Sequence, residues 1–278
     1  MINGQITEVW KHEQGILDAI HEVCREHGLR YTLAYGTLIG AVRHGGFIPW
    51  DDDIDLMMPR QDYEKLREIW KQAAPENYIL QDSRNDLDFT QNFLKIRKDH
   101  TTFLQFEEEK TRTYHKGIFV DIFPGDRVAR GKLGQKLQYA ACAINLLYTR
   151  GYTSNSGGML ERIERVLLSV PRRFHPVIRE HASRFIQKWN RYENCQYVFP
   201  STIGSSRKYY QADLFDHMTE IEFNGKMYSC VGDVDSTLRV EYGDYMQLPP
   251  ESERVWKHHP IVIDFERNYE ELEEKHER

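Results

Sequence analysis

The residues best suited to chemistry crowd into one stretch, "YGTLIGAVRHGGFIPWDDDIDLMMP", which runs from Tyr35 to Pro59. Asp51, Asp52, Asp53 and Asp55 fall within five positions and are followed by Leu56, Met57 and Met58. A solvated acidic loop has no use for that apolar lining. Read as a strand, "DIDLMM" alternates, so Asp53 and Asp55 share one face and Ile54 and Leu56 share the other. Two like charges on one half-buried face repel and are costly to desolvate. A divalent cation removes both penalties, and Mg²⁺ favours carboxylate oxygen. An EF-hand loop is excluded, because Leu56 stands where that loop needs Gly and Asp62 where it needs Glu.

Other residues extend the pattern. Gly36-Thr37, between a strand and a helix, lets the backbone approach an anion, with the helix N-terminus and the Thr hydroxyl as donors to phosphate. Asp121 stands in "FVDIFP", an apolar strand where an unpaired carboxylate is costly. Lys95 and Arg97 share one face of "FLKIRK", with Leu94 and Ile96 on the other. Arg43 and His44 follow the short helix, within reach of phosphate or base. Tyr35 and Trp50 flank the acidic stretch and are aromatic platforms on which a base could stack or a cation sit. Asp52, by alternation, faces away from Asp51 and Asp53 and is left out. His258-His259 has too little acidic or cysteine company for a zinc site.

These residues need elements to hold them. A helical stripe of Val9, Ile16, Leu17, Ile20, Val23 and Cys24 predicts a helix stopping at Gly28. "YTLAYG" then reads as a strand ending at Gly36, "TLIGAVR" as a short helix, "HGGF" as a turn and "DIDLMM" as the next strand. Tyr63, Leu66, Ile69 and Trp70 mark a further helix. "NFLKIRK" and "GIFVDIFP" are strands, the second closed by Pro124. The fold class expected is α+β, a mixed sheet flanked by helices. A catalytic core is read over residues 1–130, a mainly helical insertion over 131–195 with a break at "TSNSGG", and a mixed region over 196–278 that completes the core. In the last region "IEFNGKMYSC" is a hairpin signal, "DVDSTLRVEYG" a helix stopping at Gly243 and the charged tail a solvated helix end.

With 278 residues, 40% apolar and 29% charged, the chain can bury a sizeable core. A net charge of −6 argues against a broad basic surface for nucleic acid. Four cysteines without C-x-x-C spacing read as isolated thiols of a reducing compartment. The N-terminus carries early charges and no long apolar run, so no signal peptide is expected. The apolar stretch at "YAACAINLLY" is about half the length needed to cross a bilayer, so no transmembrane segment is expected either.

Gly-Thr, then Asp-x-Asp, then a later strand Asp resembles the nucleotidyltransferase fold of DNA polymerase β-like enzymes. The longer strings "YGTLIGAVRHGGFIPWDDDIDLMMPRQDYEKL", "FLKIRKDHTTF", "FVDIFP" and "EYGDYMQLPP" resemble the LicD family, to which fukutin and fukutin-related protein are distant relatives. The likeness runs from about Thr7 to about His259. It implies a nucleotidyltransferase-like core and transfer of a phospho-alcohol, phosphocholine foremost, from a CDP-activated donor to a hydroxyl of a glycan, with release of CMP. It implies Mg²⁺, as one or two ions, with Mn²⁺ as a substitute. The acceptor implied is a lipid-linked precursor of lipopolysaccharide or teichoic acid, which places the protein in the cytoplasm or at the inner membrane face. Asp53, Asp55 and Asp121 are then the expected metal ligands, Asp121 doubling as general base, with Asp51 orienting them from behind. Lys95 is the expected catalytic cation; Gly36, Thr37, Arg43, His44 and Arg97 are the expected phosphate or nucleotide contacts. The "YGDYMQLPP" loop, with Tyr242, Asp244 and Tyr245, lies near the site in the family. Two other readings use the same residues: transfer of a nucleoside monophosphate, and an inactive relative that only binds glycan.

Overall fold

The structure is a computed structural model that describes residues 4–86, 88–105, 113–154, 157–202 and 208–276. Asn155 and Ser156 of the Gly/Ser-rich break, and the last two residues of the tail, lie outside the described residues. The apolar stripe of α1 (Ile6–His27) buries Val9, Ile16, Leu17, Ile20, Val23 and Cys24, and the helix stops at Gly28 with φ 64°, whose N–H bonds to the Cys24 carbonyl. β1 (Thr32–Leu33), α2 (Tyr35–His44), β2 (Asp55–Pro59), α3 (Arg60–Ala73), β3 (Tyr78–Gln81), β4 (Leu94–Lys98), β5 (Thr102–Leu104) and β6 (Phe119–Arg127) follow.

Seven strands make one mixed sheet in the order β1-β2-β6-β4-β3. Its remaining two, β7 (Tyr197–Pro200) and β8 (Tyr210–Gln211), extend it beside the second half of β6. β2 and β6 run parallel, the crossover between them containing α3; the other pairs are antiparallel. One face of this sheet, Leu56, Met58, Leu94, Ile96, Val120 and Ile122, joins the stripes of α1 and α3 in the main core. The opposite face carries Asp55, Asp121 and Lys95, as period-two alternation requires.

Between β6 and β7 come α4 (Gly131–Arg150), α5 (Gly158–Leu167) and α6 (His175–Gln187). After β8, the chain returns to the core as the hairpin β9 (Met218–Phe223)–β10 (Lys226–Val231), α7 (Val234–Tyr242), β11 (Val262–Asp264), which pairs with β5, and α8 (Tyr269–His276). The hairpin turns at Asn224-Gly225, both at positive φ as a type I′ turn demands. α7 stops at Gly243 as expected. Among the described residues no helix is long and apolar enough to cross a membrane.

Three sequence expectations are corrected. "YTLAYG" is strand only over β1, because Tyr35 turns at φ 46° and already opens α2. "DIDLMM" pairs as strand only from Asp55, with Asp53 in the irregular segment that leads into it. Pro124 does not close β6: it falls after the last β4 partner, Ile122, and before the first β7 partner, Gly125. On that side no ladder bond is asked of it, so its missing N–H costs nothing.

Candidate active site

The site is built by strand register. Asp55 of β2 pairs with Asp121 of β6, and Asp121 pairs with Lys95 of β4. Three ionisable residues therefore stand side by side on one face, one interstrand step of about 4.8 Å apart. The Lys95 ammonium donates to both Asp121 oxygens, at 2.6 and 2.9 Å, and lies 3.3 Å from the centre of the Phe119 ring. Both partners are buried, at 4% exposure each. A buried pair that is charge-assisted and doubly bonded is compensated where it stands.

Asp53 and Asp55 face a cavity of about 560 Å³ between α2, the acidic approach and the loop after α7. Burial, then the charges of Asp53 and Asp121, raise the proton affinity of Asp55 well above the usual carboxylate range. Burial likewise lifts Asp53 to about 6, against the lowering effect of His258. Asp51 is pushed to about 8 by burial and by Asp53 and Asp52. Asp51, Asp53 and Asp55 thus resist carrying charge together, and the groups they offer are carboxylate oxygens. That donor set fits a hard divalent cation on Asp53 and Asp55. Asp121 lies beside Asp55 in register but is already engaged by Lys95.

The structure sorts the other expected residues. Tyr35 and Gly36, the first residues of α2, line the cavity, so the helix end whose amides lack partners within the helix opens onto it. A Cβ on Gly36 would collide with the Asp51 carboxylate, so the glycine makes room for an acidic side chain of the protein itself. Thr37 is buried, and its hydroxyl accepts from the Asp55 amide at 2.8 Å; it pins β2 to α2. Arg43 lines the cavity and donates to the Tyr245 carbonyl at 2.8 Å. Tyr242, Asp244 and Tyr245 line it too, so the family loop is at the site. Trp50 lines it with the Arg254 guanidinium 5.4 Å from its ring centre. Tyr35 packs edge-on against Phe123. His44 is exposed and sits edge-on to Trp50, outside the cavity wall. Arg97 is a correction: it shares the face of Lys95 but is buried, donating to the Gln81 side chain at 2.6 Å and the Gly117 carbonyl at 2.8 Å. It braces the sheet and, like Lys95 and Asp121, is not part of the cavity wall. The wall's cations are Arg43 and Lys257, and the sequence offered no reason to choose Lys257.

Three further residues escaped the sequence reading. Asp52 is fully buried and accepts from the amides of Lys257 and His258 at 3.1 and 3.2 Å. His258 Nδ1 is 3.2 Å from Asp52 and its Nε2 is 3.9 Å from Asp53. Burial alone would lower the His258 pKa, but Asp52 and Asp53 outweigh it and raise it. Asp52, Asp53 and His258 offer ligand atoms within 4.8 Å of one another, a tighter group than the expected Asp53-Asp55-Asp121. No spacing signal announces it, because the partners are about 200 residues apart. Glu13 is the third: fully buried in α1, with Oε2 unpartnered among the described residues. Burial, then Asp53, Asp52, Asp51 and Asp121, raise its pKa well above the ordinary value. Its signal was present, since it interrupts the apolar stripe between Val9 and Leu17.

Comparison with known proteins adds the decisive likeness. Residues 28–136 match the family model described as the LicD/FKTN/FKRP nucleotidyltransferase domain. The lipopolysaccharide cholinephosphotransferase LicD of Haemophilus influenzae is 30% identical over 257 residues, covering 87% of this chain and 92% of that protein. The chain belongs to the LicD family. Ribitol 5-phosphate transferase FKRP of Homo sapiens and of Mus musculus is 40% identical over 64 residues, covering 23% of this chain and 12% of each relative. An uncharacterised protein of Rickettsia prowazekii is 26% identical over 127 residues, covering 39% of this chain and 48% of that one. The family model ends at residue 136, so the cavity wall contributed by Tyr242 to Lys257 lies outside it.

Proposed function

We propose that the chain is a CDP-alcohol-dependent phosphotransferase that moves a phospho-alcohol, phosphocholine foremost, onto a glycan hydroxyl in cell-surface polysaccharide assembly. The observation that carries the reading is that Asp53 and Asp55 line one cavity, with the Lys95-bound Asp121 next to Asp55 in register behind it. Choline is favoured because the relative alike over most of its length is a cholinephosphotransferase of lipopolysaccharide. Bound Mg²⁺ would neutralise charge on the donor phosphates. The protein's own work is then positional. Arg43 and Lys257 attract the donor's pyrophosphate, and the N-terminal turn of α2 meets it with backbone amides. The acceptor oxygen attacks the phosphorus bearing the alcohol, the bond from that phosphorus to the oxygen of CMP breaks, and CMP leaves with the electron pair. The acceptor's proton passes to a carboxylate on the cavity wall. Asp121 is poorly placed for that last role, since both its oxygens already accept from Lys95.

The test is product analysis with CDP-choline, CDP-ribitol, CDP-glycerol and CDP-ethanolamine, each with Mg²⁺ and a lipid-linked glycan acceptor. Free CMP and an acceptor heavier by phosphocholine are expected with CDP-choline. Pyrophosphate release from a nucleoside triphosphate, with the acceptor carrying a nucleotide, would replace this reading by nucleotidyl transfer. Binding of the glycan without either product would leave a binding protein.

A further inference from the structure

α5 buries none of its ten residues. A helix that short is marginal in water unless tertiary packing covers its apolar face. Its polar side is the one turned to the protein: Glu164 accepts from the Arg150 guanidinium at 3.0 Å and from the Ser154 amide at 2.6 Å. The Tyr148 hydroxyl donates to the Leu167 carbonyl at 2.7 Å. The apolar stripe looks outward instead. Met159 is 72% exposed, Ile163 49% and Val166 70%, at the i, i+4, i+7 spacing of one helix face. Phe174 and Val177, in the turn into α6 and its first turn, are also exposed. An exposed apolar helix face of this kind marks a surface that something covers.

Charge identifies the cover. Residues 158–191 contain eight Arg and Lys against three Asp and Glu, while the whole chain has 37 against 43. Arg162 borders the stripe on α5, Arg172 and Arg173 follow in the next turn, and all are exposed. The Arg173 guanidinium lies 4.9 Å from the centre of the Phe174 ring. Exposed arginines on an apolar helix face and in the turn after it, on a chain that is acidic elsewhere, are complementary to an anionic bilayer surface. We infer that α5 and the turn after it form an interfacial docking surface for anionic lipid, with Met159, Ile163 and Val166 entering the headgroup boundary. The helix lies in the membrane plane and does not cross it. The inference rests on this surface alone, not on the reaction proposed above.

The experiment is co-sedimentation of the full chain with vesicles of phosphatidylcholine alone and of phosphatidylcholine with phosphatidylglycerol. Binding is expected to the anionic vesicles, weakening as salt screens the arginines. The triple variant M159Q/I163Q/V166Q should bind them at least about tenfold more weakly, with unchanged melting temperature and far-UV circular dichroism. A Val166→Trp variant should show a blue-shifted emission on the same vesicles. Equal sedimentation of the triple variant, or none of the wild type at low salt, would overturn the inference. So would a dimer, seen by analytical ultracentrifugation, that the triple variant dissociates and vesicles do not compete, because the cover would then be a second copy of the chain.

Discussion

Asp55 and Asp121 are neighbours in register, yet the structure gives them different partners. Asp55 faces the cavity with other carboxylates, and Asp121 faces Lys95. The two should therefore fail differently when mutated. Asp55→Asn is expected to abolish CMP release while leaving the fold as stable as before or more so without Mg²⁺, since it removes a buried like charge. Retention of more than a few per cent of wild-type turnover would remove Asp55 from the proposed metal ligands. Lys95→Ala should instead cost about 3–5 kcal/mol in denaturant melts, because it strands a buried carboxylate. The double variant K95M/D121N should recover most of that stability and none of the turnover. A stable Lys95→Ala with normal activity would mean that the ion pair compensates nothing. Of this row, the sequence made legible which face carries the acid pair and the lysine, because a carboxylate or ammonium in an alternating apolar run needs a reason, but not that Lys95 would be engaged by Asp121 outside the cavity wall. Arg97 was misjudged on the same logic: alternation fixes a face, and a long side chain on that face can still turn into the sheet's own edge, as it does towards Gln81 and Gly117.

At the scale of elements, long periodic segments were legible and short ones were not. α1, α3 and α7, with the Asn-Gly hairpin, follow from periodicity and turn chemistry that act locally. β3 and β5 are four and three residues long and exist through pairing with β4 and β11, which no local pattern encodes. Glu13 shows the reverse case, a local anomaly passed over because the stripe around it was so regular. Its folded-state pKa is raised, so the folded chain keeps a proton there that the unfolded chain releases near its ordinary pKa. The unfolded state then binds fewer protons, and stability falls as pH rises above about 4.5 towards the raised value. Glu13→Gln should leave stability near pH 4 almost unchanged. In EDTA at pH 8 it should gain roughly 1.4 kcal/mol for each unit by which the fold raises the pKa. Melts of both proteins across pH 4–8 decide it; parallel curves would mean that Glu13 is not held protonated.

Across the whole molecule, the cavity is made by two distant parts of the chain. Its acidic floor comes before residue 60, and its opposite wall runs from Tyr242 to Lys257. The first part was legible because its residues are contiguous. The second was legible only as a loop of a resembled family, and its attachment point was not legible at all. That point is Asp52, whose carboxylate accepts from the amides of Lys257 and His258 while staying within 4.8 Å of the ligand atoms of Asp53 and His258. The buried carboxylate holds the wall from beside Asp53. β5–β11 pairing and the Ile261 amide, which bonds to the Leu104 carbonyl at 2.7 Å, secure the next few residues, so the wall is anchored just beyond Asp52 as well. Removing the Asp52 carboxylate should therefore free the stretch before residue 261 and leave the sheet in place. Asp52→Ala is expected to expose the 244–258 loop to limited proteolysis and to raise the KM for the CDP donor about tenfold or more, the scale of losing two charge-assisted hydrogen bonds. Far-UV circular dichroism should barely change. Asp52→Asn, which keeps one acceptor oxygen, should fall between the two proteins in both readouts. A fully protected loop and an unchanged KM in Asp52→Ala would show that β11 alone positions the wall, and that Asp52 is only a buried acid satisfied by the backbone nearest to it.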